Sequence, residues 1–298
     1  LQYTLNLAGT VNWTGGTLTL KDPPASTSST HYSIYYNSSS SSECNGHTIV
    51  FGDGVSSTSG GNAIGFLIYN YVGAGRLNFG NVVVNGPTSG TASSTNRLVQ
   101  QTTWANQIHG NLTVNINGEF RFDNFTIGGD IAVNSGGIFT HTGTMTLARP
   151  SGTSSIANTS AQTISGSGTI RNLTTSPTAN LTSLTVNNTS SADVTISAPL
   201  SISGTLTMTA GKINTTATNL LTLGTSTAAG TLAYTAGQIA GPFARTFPAS
   251  RTASGTYTVA TLYPVGDGTT YLPIHIDPTT SASAVSYTHL TLPTNREV

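Results

Sequence analysis

From about residue 110 the chain repeats one short pattern: an apolar residue, a polar one that is usually Thr, a second apolar residue, then a turn of Gly, Asn or Ser. Leu112–Val114, Phe125–Ile127, Ile131–Val133, Met145–Leu147, Leu184–Val186, Val194–Ile196, Leu200–Ile202, Leu206–Met208 and Leu221–Leu223 all follow it. A period of two puts both apolar side chains on one face, so each triplet predicts a very short β-strand. Leu112 lies 19 residues before Ile131, Phe125 lies 20 before Met145, and Leu184 lies 22 before Leu206. Those intervals sit near the ~20-residue lower end of solenoid repeats. The expected fold is therefore all-β: a parallel β-helix (β-solenoid) in which three brief strands and three corners make one turn. Val, Ile, Leu, Phe and Met would form inward ladders, with Thr and Ser outside. An antiparallel sandwich or barrel also spaces strands regularly, but it calls for longer strands and clearer hairpin signals.

The pattern divides the chain into four stretches. Residues 110–241 are the regular coil, within which Ser151–Gln162 reads as a loop budding from a corner. Residues 1–109 are less regular: Thr17–Leu20, Thr48–Phe51, Phe66–Tyr69 and Leu77–Val84 read as strands, and Asn37–Ser42 as an exposed loop, so this stretch is expected to continue the coil with longer insertions. In residues 242–284 Pro and aromatic residues become frequent, and Tyr257–Val259 and Tyr271–Ile274 look like edge strands. This stretch is expected to be a cap or, preferentially, the start of a following β-sandwich. The remaining stretch, Val285–Val298, resembles a translated sequencing adapter, so native sequence is expected to stop near Ala284.

Composition sharpens this reading. Charged residues make up 7% of the chain, against about 25% in ordinary globular domains, and Thr, Ser, Asn and Gly carry the polar role instead. Ten basic and ten acidic residues cancel, which gives no electrostatic footing for nucleic acid or an anionic membrane. A hydrophobic content of 36% suffices for a core, and no apolar run is long enough to predict a membrane span. Cys44 is the single cysteine, so no intrachain disulfide is possible. No secretory leader is visible at Leu1.

The order LTVNN, PLSISGTLTMTAGKINTTATNLLTLG, GPFAR and YPVGDGTTYLPI, running from Leu184 to Ile274, resembles large secreted repeat proteins of Bacteroidetes-type bacteria. The resemblance extends over roughly residues 110–280. It implies a right-handed β-solenoid, an extracellular or cell-surface location and adhesin-like or structural work, with glycans or host and cell-surface components as partners. It brings no catalytic residues.

Pectin-cleaving enzymes also use parallel β-helices, so catalytic groups need separate consideration. A glycosidase needs two carboxylates ~5–9.5 Å apart across one bond. Only Glu119, Asp123 and Asp130 come near one another in sequence, with Arg121 and His141 close by, and these are the candidate catalytic residues. Asp123 and Asp130 both precede strands, where Asp commonly binds its own backbone in a corner. The histidines never occur in metal-ligand spacing, and Gly128–Asp130 is a single imperfect echo of a calcium-binding repeat, so neither metal nor other cofactor is expected. Trp13, Tyr32, Tyr35, Tyr36 and Trp104 are the candidates for a ligand-binding surface, since exposed aromatic rings stack on sugars; burial under a loop is their commoner fate. The leading expectation is a non-catalytic, structural or adhesin-like segment of a surface protein. A polysaccharide-degrading lyase or hydrolase and a carbohydrate-binding module are the alternatives.

Overall fold

The computed structural model describes residues 5–8, 12–21, 34–37, 42–55, 66–70, 77–87, 97–100, 106–151, 154–172, 180–189, 191–226, 228–247, 255–277 and 285–287. Among them there is no helix, and nearly all strand pairing is parallel. Three series of ladders, here termed faces A, B and C, are visited in turn. Glu119–Phe122 lies on face A, Phe125–Ile127 on B and Ile131–Val133 on C; the chain then returns to A at Ile138–His141 and to B at Thr144–Leu147. The cycle continues through Gln162–Ser165, Thr169–Asn172, Ser183–Asn187 and Asp193–Ile196, and on to Gln238–Ala240.

Each return pairs in the register that the apolar triplets demand. Leu112 sits opposite Ile131, Phe125 opposite Met145 and Leu184 opposite Leu206. Apolar positions thus stack on apolar positions, because a slip of one residue would turn a whole row outward. Leu112, Val114, Ile127, Phe139, Leu184, Val186 and Ile213 are all fully or almost fully buried, and Thr113, Thr146, Thr185 and Thr195 face out half-exposed between such residues. A Thr row suits an outer face because its β-branched side chain fits the pleat without introducing charge.

The N-terminal strands join the same ladders. Leu5–Ala8, Ile34–Asn37, Phe66–Asn70 and Arg97–Gln100 precede Glu119–Phe122 on face A. Ser42–Phe51 and Leu77–Val84 each run along both B and C, so at these two levels the faces meet through continuous strands, with a register shift between Cys44 and Thr48. Elsewhere the corners are separate turns. Gly166 shows what such a turn requires: its φ is +103°, and a Cβ there would lie 2.0 Å from the Val133 carbonyl oxygen.

Corner side chains stack as well. Asn115 Nδ2 donates to Asn85 Oδ1, and Asn134 Nδ2 donates to Asn115 Oδ1, each at 2.7 Å. At the neighbouring corner Asn81 Oδ1 accepts the Asn111 amide, Asn111 Oδ1 accepts that of Asp130, and Asp130 Oδ1 accepts that of Thr163. These links satisfy amides that a turn would otherwise leave to water.

Two expectations need correction. Within the stretch read as a loop from Ser151 to Gln162, Ser154–Ile156 pairs antiparallel with Arg149–Ser151, forming a hairpin. It lies over face B, where Ser155 Oγ meets Thr126 Oγ1 at 3.1 Å and Thr126 is buried. Tyr257–Val259, read as an edge strand, is not one: Thr261 folds back on Thr258 through its amide and its hydroxyl, closing a turn instead. Of Tyr271–Ile274, the other stretch read as an edge strand, only Ile274 lies in a strand, Ile274–His275, which pairs antiparallel with Leu262–Tyr263. Val285–Tyr287 adds antiparallel to Phe243–Arg245. Most of the loop expected at Asn37–Ser42 lies outside the described residues.

Candidate functional site

Glu119 opens its strand on the outer side of face A, yet its side chain is only 2% exposed. Arg121 clamps it from the same strand, with Nη2 at 2.8 Å and Nε at 3.2 Å from Oε1. Thr140, one strand away, donates its hydroxyl to the same oxygen at 2.8 Å. Arg171, two strands away, reaches Oε2 at 3.3 Å and donates Nε to the Thr140 hydroxyl at 3.2 Å. Three successive strands are thereby tied across their outer surface. A carboxylate committed to two guanidiniums and a hydroxyl has little capacity left for moving a substrate proton.

The other candidate catalytic groups are dispersed. Asp123 is exposed at the corner between faces A and B and accepts the Thr142 hydroxyl. Along the strand it lies four residues from Glu119, roughly 13 Å of backbone rise. Asp130 is exposed at the next corner and holds the Thr163 amide at 2.7 Å. His141 has no solvent exposure and points into the core, where its ring lies 6.1 Å from that of Phe125 and 6.0 Å from that of Phe139. Burial lowers its pKa from 6.5 to about 4, outweighing the backbone of Thr144 and the charge of Asp123, which act the other way. Glu119 and His141 therefore occupy opposite sides of one sheet, and the four residues do not converge on a cleft.

The N-terminal aromatic candidates also separate. Tyr36 is wholly buried, Tyr35 is half-buried on the same strand, and half-buried Trp13 sits edge-on to the His47 ring at 4.8 Å. Tyr32 and Trp104 lie outside the described residues. Among the described residues, the most exposed aromatic ones lie instead near the C-terminal end: Tyr257 is 78% and Tyr271 40% exposed, and the Tyr271 ring stacks on Tyr234 at 5.9 Å with 10° between planes. Burial pushes the Tyr234 and Tyr263 hydroxyl pKa values up, that of Tyr263 to about 12.

A cavity of about 400 Å³ lies between the strand Thr231–Tyr234 and the segment Arg245–Phe247. Arg245, 4% exposed, lies over the rings of Phe247 and Tyr263 and donates to the carbonyls of Val259 and Leu262. The arginine of the GPFAR run thus pins the turn that follows it. Reading the sequence as catalytic or aromatic candidates also missed Gln162 and Asn158. Gln162 Nε2 donates to the carbonyls of Ile127 and Gly129, and Asn158 Nδ2 to that of Gly128. The hairpin insertion interrupts the corner that would stack on these three carbonyls, and two side-chain amides take its place.

The molecule is an all-β chain built on parallel ladders, whose polar clusters link one strand level to the next. It matches no protein-family model, no curated protein and no solved structure. No group of three or more His, Cys, Asp or Glu able to hold a metal ion occurs among the described residues. Among the same residues, no helix is long and apolar enough to cross a membrane.

Proposed function

We propose that the chain is a right-handed parallel β-solenoid serving as a non-catalytic, adhesin-like or spacer segment of a secreted or surface-displayed bacterial repeat protein. One observation carries the reading: the polar groups best placed for chemistry are engaged between successive strand levels. Glu119, Asp123, Asp130, Gln162 and the Asn85–Asn115–Asn134 series each bind the level above or below. Among the described residues ten strands stack along face C, and at ~4.8 Å per step they span about 43 Å. Such a stack resists bending because each level is hydrogen-bonded along its length to the next. It would hold loops and adjoining domains away from a surface and meet glycans or cell-surface components through exposed side chains. The surface location rests on the resemblance to secreted repeat proteins.

The test pairs shape with activity. Small-angle scattering of the purified chain should give a rod-like profile, and incubation with a panel of neutral and acidic polysaccharides should release no oligosaccharides. Release that disappears in a folded D123N/D130N double variant would overturn the non-catalytic reading in favour of a polysaccharide-degrading enzyme. A compact profile would overturn the rod.

A further inference from the structure

His141 combines three properties that a structural core residue rarely holds together. It has no exposed surface, its ring nitrogens make no well-formed hydrogen bond and have only the nearby backbone of Thr144 and Asp123 to turn to, and a carboxylate waits just outside. Its strand neighbours are Phe122 on one side and Asn172 on the other, so the ring continues an inward row that Phe122 begins. The rings of Phe125 and Phe139 enclose it. Among the described residues, the charged groups near this strand are few. Asp123 is close enough to act on the ring electrostatically, while Glu119, Arg121 and Arg171 form their cluster on the outer side of the sheet. The residues that follow His141 are a half-exposed corner, Thr142–Gly143, stacked on Asp123–Asn124.

We propose that His141 is an acid-operated latch: neutral, it packs among the phenylalanines; protonated, it swings out through the Thr142–Gly143 corner and pairs with Asp123. The inward state offers the ring nitrogens only weak contacts with the backbone of Thr144 and Asp123, a shortfall that the neutral ring tolerates better than the cation. An added proton places a cation among aromatic side chains with no anion in contact, whereas the outward position offers a charge-assisted hydrogen bond in water. Leaving the core vacates space beside Phe139 and frees the corner, so the link from Thr142 to the preceding level loosens without the rest of the stack unfolding.

The direction in pH follows from the inward state. The folded pKa of about 4 lies below the unfolded value of 6.5, so above pH 6.5 the ring is neutral in both states and contributes no pH dependence. As pH falls towards about 4 the proton binds the open or unfolded form preferentially, and folding of this region weakens by up to about 300-fold, the ratio set by a separation of about 2.5 units.

The experiment is NMR titration of ¹³C-labelled histidine in the full chain, with amide hydrogen exchange at Thr142, Gly143 and Thr144, for wild type, H141F and D123N. The His141 resonance should titrate well below 6.5, with exchange at the corner accelerating over the same range. H141F should lose that acceleration, and D123N should move the titration to lower pH. A His141 titrating near 6.5 would overturn the proposal. So would corner exchange with the same pH dependence in H141F, or a titration unmoved in D123N. If H141F does not fold, the wild-type titration and D123N decide.

Discussion

Replacing Gln162 by Leu tests whether side-chain amides repair the ladder beside the hairpin insertion. Gln162 is 1% exposed and makes three hydrogen bonds: to the Ile127 carbonyl at 3.0 Å, to the Gly129 carbonyl at 2.9 Å and from Asn188 Nδ2 at 3.2 Å. Ile127 keeps a second partner in the Ala148 amide. The Gly129 carbonyl and the Asn188 amide lose theirs, at about 1–3 kcal/mol for each buried group left unsatisfied. Leu returns about 1–2 kcal/mol through added apolar burial. The midpoints of these ranges net to a loss of about 2.5 kcal/mol. In urea, at ~2 kcal/mol/M, this is a drop in midpoint of about 1–2 M. Q162E should be worse still at neutral pH, since it sets a carboxylate against two carbonyl oxygens. T163V alters the adjacent outward side chain and should stay within about 0.5 kcal/mol of wild type. If Q162L matches T163V, the amides are bystanders and the repair argument is wrong.

In the asparagine series, N115A breaks two links and N134A one, so N115A should cost about 1–2 kcal/mol and N134A about half that; equal losses in urea unfolding would argue against a connected ladder. G166A forces a Cβ into the Val133 carbonyl at positive φ and should lower stability by about 2 kcal/mol or more, or prevent folding; an unchanged thermal midpoint would contradict the corner geometry. E119Q removes the charge that Arg121 and Arg171 share and should cost about 1–3 kcal/mol at low salt, less at high salt because the guanidiniums are partly exposed; a loss indifferent to salt would point to packing alone.

The strands of the regular coil were legible in sequence because period-two alternation is a local signal, and some of their register because several strands recur after 19 to 22 residues. Leu112 and Ile131, chosen by spacing alone, are direct partners. Features governed by contacts between levels were less legible. Gln162 occupies an inward position where the pattern calls for an apolar residue, and only the missing corner above Ile127–Gly129 explains it. Closeness in sequence to Asp123 and Asp130 makes His141 a catalytic candidate. Parity held the better signal: it follows Phe139 by two residues, as Phe122 follows Phe120, so it shares the inward row. The turn at Thr258–Thr261 defeated the alternating reading of Tyr257–Val259 because a hydroxyl and an amide folding back locally outcompeted an extended pairing.

The ladders also determine how the molecule should fail under tension. Each level is bonded only to its neighbours, so a pull on the two ends cannot load every level at once and instead strips the outermost one. Levels run from 19 residues, Leu112 to Ile131, to 33, Thr48 to Asn81, and so yield about 65–115 Å of extended chain each, and an atomic-force trace should show a train of short and long extensions. The level carrying the Arg149–Ile156 hairpin should release a longer step than the one before it, since Asp130 and Thr163, which face each other across it, are 33 residues apart against 19 from Leu112 to Ile131. Where Ser42–Phe51 and Leu77–Val84 run unbroken along two faces, two ladders must tear together, and the trace should register its highest force there.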